Sequence, residues 1–304
     1  MCIRDSCYGI SSNTFVTAGD DPGFTCLDTV WKIACSTRAE HHFSVVQMPI
    51  NLLETGGVLE SNQPGGGTVL EKAAACGLGV VVNRPLNAVS SHNLVRLADI
   101  DAGPPAGKDE ILAILGALAA SEKTLIETVL PHLSIPAEVR QQIQTQLSVA
   151  NTLTLHWRGF HSYEHWRQTQ STFFRPRVRG VMDFLSPYRG EVPALEAWMA
   201  EHPRELERVF SAVASVYAHQ AHREAERIRT AVEEADPDWA EAEGLSGKAI
   251  GALRSTVGVS CVLVGMRRQD YVDDVLRDLA RPVQTRNRRA SWRRLRHVLE
   301  KSGR

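Results

Sequence analysis

Short apolar runs alternate with helically spaced ones over the first hundred residues. CYGISSN (7–13) ends in small polar residues, and TCLDTVWKIACST places Leu27, Val30, Trp31, Ile33 and Ala34 at the spacing of one helix face. FSVVQMPINLL (43–53) is a second β-rich run. A loop rich in Gly and Pro follows (Gly56, Gly57, Pro64, Gly65 to Gly67). TVLEKAAACG then predicts a helix, with Thr68 as N-cap, Glu71 three residues on and Gly77 at its end. GLGVVVNRPLNA (77–88) supplies a third strand, which stops where Asn83, Arg84 and the donor-less Pro85 arrive together. Strand, helix, strand, helix, strand at this spacing predicts parallel βα units over 7–103.

From 104 to 244 the pattern changes to long stretches of helical period, interrupted at Pro136, Pro187 and Pro193, which predicts an all-α insertion. Residues 245–282 return to the earlier style. KAIGALRSTVG reads as a helix ending at Gly258, VSCVLVG (259–265) as a fourth strand, and DYVDDVLRDLA as a helix. The tail, 283–304, continues a stretch from 281 that carries eight arginines and one lysine around Trp292, Leu295, Val298 and Leu299. It reads as an amphipathic helix lying on the domain, since no aromatic platform accompanies the cations.

Composition narrows the classes. With 34 basic and 35 acidic side chains the net charge is -1, so no global field recruits nucleic acid or an anionic membrane. No apolar run reaches the length of a membrane span. Cys2, Cys7, Cys26, Cys35, Cys76 and Cys261 form no CxxC pair and read as reduced thiols, which suits a cytoplasmic location. Met1 to Ser6, MCIRDS, runs straight into a strand without lead-in and reads as a non-native leader, outside the fold.

In parallel α/β architectures ligands sit at the C-terminal ends of the strands. Here those ends carry Ser11-Ser12-Asn13, Gln47, Asn83-Arg84-Pro85-Leu86 and Gly265-Met266-Arg267-Arg268. Hydroxyl and amide groups suit a neutral carboxamide, whereas Gly beside Arg suits a phosphate. In order and chemistry, these four stretches resemble the second half of the aldo/keto reductase barrel, the NADP-dependent oxidoreductase domain. GISSN is similar to the fifth-strand G-x-S-N motif that holds the nicotinamide carboxamide, and VVQMPINLLE to the sixth strand, whose Gln shares that amide. VVVNRPLNA resembles the seventh-strand Y-S-P-L motif. VLVGMRRQDYVDDVL resembles the eighth-strand P-G-x-R segment and its helix, which bind the adenosine 2'-phosphate and adenine. The resemblance implies a partial (β/α)8 TIM barrel of about four βα units. It also implies NADP as cofactor and a small carbonyl or alcohol substrate reduced or oxidised by hydride transfer.

Departures from the family pattern matter as much. Asn83 stands where the family's stacking Tyr is expected. The extra serine leaves open whether Ser11-Ser12 or Ser12-Asn13 is the amide-binding pair. Asp274-Val275 replaces the usual Glu-Asn, keeping the acid and losing the amide, so Arg267 and Arg268 become the phosphate candidates. The family's catalytic Asp, Tyr, Lys and His belong to its first four strands, the half expected to be missing here, and nothing upstream of residue 7 provides them. The implied fragment would supply a cofactor cradle and no acid. In the insertion, His156, His161 and His165 read as structural or surface residues, Tyr163 and Tyr217 as packing, and Arg175, Arg177 and Arg179 as a solvated face. The block as a whole reads as a lid over the site. A non-catalytic nucleotide- or protein-binding module built from a half-barrel and a helical domain is the alternative from a different class.

Overall fold

The computed structural model describes residues 7–90, 93–266 and 269–302. Along the chain run β1 (Tyr8–Ser11), α1 (Leu27–Thr37), β2 (Phe43–Pro49), α2 (Gly56–Leu59), α3 (Val69–Ala75), β3 (Gly79–Asn83), β4 (Asn87–Ser90) and β5 (Asn93–Arg96). Helices follow: α4 (Lys108–Thr124), α5 (Ala137–Gln146), α6 (Val149–His156), α7 (Tyr163–Thr169), α8 (Arg175–Leu185), α9 (Pro193–Ala235), α10 (Pro237–Ala240) and α11 (Gly244–Arg254). Then come β6 (Cys261–Val262), α12 (Gln269–Ala280) and α13 (Arg289–Ser302). The chain divides into an α/β unit, residues 1–99 with 223–304, and a helical unit, 100–222.

The α/β unit holds a four-stranded sheet in the order β1-β2-β3-β6, every pair parallel. Strand order therefore follows chain order, as the alternating pattern predicts. Val46, Met48, Val80 and Val82 point to one face and are fully buried in a core shared with Leu27, Leu70, Ala73 and Leu253. The alternation of a strand sends Val45, Gln47, Val81 and Asn83 to the other face, where they are only partly covered. Gly9, Ser11, Cys261 and Leu263 flank them and are exposed. At Gly9 the ladder carries a bulge, and a Cβ there would come within 2.5 Å of the Val45 carbonyl oxygen, so only glycine fits.

α3 begins as its sequence predicts: the Thr68 hydroxyl accepts from Glu71 N–H at 3.2 Å and the Glu71 carboxylate accepts from Thr68 N–H at 2.7 Å. The tail forms α13, which buries Trp292 and Leu295 completely and turns Arg293, Arg294 and His297 outward. Trp292 meets Trp239 edge to face at 5.1 Å, and each indole N–H donates to a buried hydroxyl, of Thr256 and Ser255 respectively. Beside them Arg288 and Asp236, both about 4–5% exposed, pair at 2.8 Å.

Several boundaries differ from the sequence reading. The β-rich run 43–53 is strand only to Pro49, because Asn51 opens a turn by accepting from Leu53 and Glu54 N–H. The run 259–265 pairs only briefly, as Cys261–Val262. After Pro85 the chain adds an antiparallel hairpin, β4 with β5, that the apolar pattern does not announce. Residues 223–244, read as part of the insertion, pack in the α/β unit, where Ile228, Val232 and Trp239 are buried in its core. Helical period alone cannot say which core a long helix serves.

The helical unit has its own core around Trp166, Phe174, Phe210 and Leu153. Tyr217 is buried in it and donates to the Trp157 carbonyl at 2.8 Å, a packing role as expected. Trp198 stacks on the fully buried His202, whose Nδ1 lies 3.3 Å from Ser121 Oγ. Burial lowers the pKa of His202 to about 4. Burial likewise raises Glu122 to about 8, against the N–H groups of Val149 and Ala150 that its carboxylate caps.

Candidate functional site

One row of paired residues crosses the sheet near the C-terminal ends of its strands: Ser11, Gln47, Val81 and Cys261. Paired residues share a face, so Ser11 and Gln47 project side by side from the open side of the sheet. Asn83 lies on the same face, opposite Pro49 and two residues beyond Val81. A hydroxyl and two carboxamides are therefore gathered on one surface by strand register alone. Gln47 has no side-chain hydrogen bond among the described residues, and Asn83 Oδ1 is buried without a partner. The site thus holds unused amide donors and acceptors.

The other predicted residues separate from this group. The Ser12 hydroxyl is taken up in a cluster with Thr14 and Thr25, at 3.0 and 3.1 Å. Of the two candidate pairs neither is whole on the open face; Ser11 alone stands there. Asn13 is exposed and borders a separate cleft with Leu53, Glu54 and Arg296. Gly265 lines a small cavity of about 180 Å³ together with Leu86, Arg96, Tyr271 and Asp274, behind the end of β6. Arg96 lies over the Tyr271 ring at 5.3 Å, and Asp274 is paired with Arg277 at 3.1 Å. Met266 is 52% exposed. Arg267 and Arg268 lie outside the described residues.

Arg84, named among the strand-end candidates, spends its charge inside the fold. Its guanidinium is paired with Glu54 at 2.7 Å, and its backbone sits at φ 53, in the left-handed region. That conformation costs a non-glycine residue about 1 kcal/mol. A partly buried clamp holds it there. Asn51 Nδ2 donates to the Arg84 carbonyl at 3.2 Å and to Glu54 at 2.8 Å, while Glu54 also accepts from Val89 N–H. Pro85, which follows, is buried and carries the chain out of the sheet into the hairpin. Asn51 and Glu54 were not singled out from the sequence, although N-x-x-E is the spacing of a side chain that caps a turn.

No family model, no curated protein and no solved structure matches this chain. Its chemistry has to be read from the site itself.

His161 and His165 stack at 5.3 Å, and among the described residues no group of three metal-ligating side chains converges. Arg175 pairs with Glu207, and Arg177 covers the ring of Phe173 at 3.7 Å. No described helix is long and apolar enough to cross a membrane.

Proposed function

We propose that this chain carries the cofactor-binding half of an NADP-dependent aldo/keto reductase, a carbonyl or alcohol oxidoreductase working by hydride transfer. In this reading the α/β unit is half of a (β/α)8 barrel and the open face of its sheet is the barrel interior. The observation that carries it is the joint placement of Ser11, Gln47 and Asn83 on that face, at the strand ends, with amide groups left unpaired.

These residues fit a nicotinamide carboxamide. The Gln47 amide and the Ser11 hydroxyl can each donate and accept, and Asn83 Oδ1 offers a buried acceptor awaiting a donor. NADPH, when bound, supplies the hydride. The chain's own residues orient the ring's amide, and the Asn51–Glu54–Arg84 clamp fixes the turn that presents Asn83. The cavity beside Gly265, with Asp274 at its rim, would hold the adenine end. Proton transfer to the substrate oxygen falls to an acid outside these four strands, as does the setting of its pKa.

A fluorescence titration of the full chain with NADPH tests this. Saturable binding that Gln47→Ala weakens tenfold or more is expected. Failure to saturate at millimolar NADPH would overturn the reading in favour of a module that binds something else.

A further inference from the structure

The hairpin after Pro85 brings one arginine into the cavity behind the end of β6. Arg96, on β5, is half-buried, and its guanidinium lies over the Tyr271 ring of α12 at 5.3 Å. Asn87, its partner on β4, accepts one of its five N–H donors at 3.3 Å. Every other half-buried or buried arginine described in the α/β unit meets a carboxylate, Arg84, Arg254, Arg288 and Arg296 among them. Among the described residues Arg96 meets none. Two carboxylates do line the same cavity, but both are engaged elsewhere. Asp99 accepts from Leu245 N–H at 2.9 Å, and Asp274 pairs with Arg277 at 3.1 Å.

The hairpin that carries Arg96 is tied to the fold. Val89 N–H donates to Glu54 of the clamp, and Leu97 N–H donates to the Leu86 carbonyl. A guanidinium held partly out of water with no counter-charge gains more from an arriving anion than one already paired. Its fork of N–H groups matches two phosphate oxygens at once. The cavity measures about 180 Å³, below the roughly 300–1,000 Å³ of pockets that take whole ligands. Leu86, Ile250, Val264 and Val275 give it apolar walls. That space suits one flat ring system and leaves an attached sugar and phosphate toward the half-exposed guanidinium.

We propose that Arg96 takes the adenosine 2'-phosphate and so selects NADP over NAD, with the adenine ring in the cavity beside it. This rests on the NADP reading above and adds to it a phosphate contact from a hairpin that strand-end position did not point to. NAD carries a hydroxyl at that place and offers the guanidinium no charge.

Isothermal titration of the full chain with 2',5'-ADP and with 5'-AMP tests this without the nicotinamide. The first nucleotide carries the 2'-phosphate and should bind at least tenfold tighter than the second. Arg96→Gln, which keeps a donor for Asn87 but no charge, should erase that margin. It should leave 5'-AMP binding within twofold of the original, which also reports an intact fold. Arg96→Lys, a cation without the fork, should restore part of the margin. Failure of the unaltered chain to bind 2',5'-ADP, equal affinity for the two nucleotides, a margin that survives Arg96→Gln, or a loss of both nucleotides alike would overturn the proposal. The two readings fail separately. Arg96-dependent binding of 2',5'-ADP in a chain whose NADPH affinity ignores Gln47→Ala keeps this site and sinks the nicotinamide cradle. NADPH affinity that falls with Gln47→Ala but not with Arg96→Gln does the reverse.

Discussion

The helical unit and the α/β unit solve the burial problem differently. In the helical unit large side chains from successive helices meet one another, and Trp166 and Phe210 are almost completely enclosed. Some of its buried polar groups are used internally, Glu122 on a helix start and Tyr217 on a carbonyl, while Trp166 Nε1 and His202 Nε2 are buried without a partner among the described residues. The sheet of the α/β unit is finished on one side only. Its covered face is as dry as any core, while the opposite face keeps valines, amides and two thiols partly in water. A unit that encloses its large side chains needs no further partner for them; a sheet that keeps one face partly in water directs attention to what that face binds.

That contrast can be broken most forcefully inside the helical core. Phe210→Ala should destabilise the protein by about 3–5 kcal/mol in denaturant melts, the cost of a cavity that rigid neighbours cannot fill. In the α/β unit, Arg288→Met should cost about 3–4 kcal/mol, because Asp236 is left charged and buried. The two faces of one strand give the sharpest internal comparison. Val82→Ala, on the covered side, should cost about 2 kcal/mol in denaturant melts, and Val81→Ala less than about 1.

Two buried groups of the helical unit, His202 and Glu122, carry a pH dependence through the neutral range. Below 6.5 the unfolded chain takes up a proton on His202 that the folded chain refuses until about pH 4, so stability falls with acid across that window. Glu122 acts in the opposite sense: folded, it keeps its proton from 4.5 up to about 8, so stability falls as pH rises. The two slopes, each about 1.4 kcal/mol per pH unit, cancel where they overlap. Stability should be flat from about pH 4.5 to 6.5 and decline toward 8. Glu122→Gln should remove that decline in thermal melts at graded pH. The smallest effect is a local one: Thr68→Ala should cost about 1 kcal/mol through its lost cap.

Alternating periods made the parallel sheet and its strand order legible, since four runs separated by helices admit few other arrangements. The cap of α3 was legible to the residue. The hairpin after Pro85 was not, because Asn87–Ser90 and Asn93–Arg96 are too short and too polar to show a period of two. For the site, residue type and strand-end position named Ser11, Gln47 and Asn83 among the candidates, and strand pairing places these three on one face of the sheet. What they could not show is competition among neighbours. Ser12 looks as available as Ser11 until Thr14 and Thr25 are seen to surround it. Arg84 looks like a ligand for an anion until Glu54, thirty residues earlier, is found to hold it.

Arg84 also carries two unrelated demands on one residue. Its main chain requires a left-handed turn, which glycine or asparagine would meet more easily, while its side chain must neutralise Glu54, which neither can do. A saturation scan at this position should therefore not rank substitutions along a single scale of size, charge or hydropathy. Two unlike groups of variants should survive, one chosen by backbone and one by charge, and Glu54→Gln should rescue only the first.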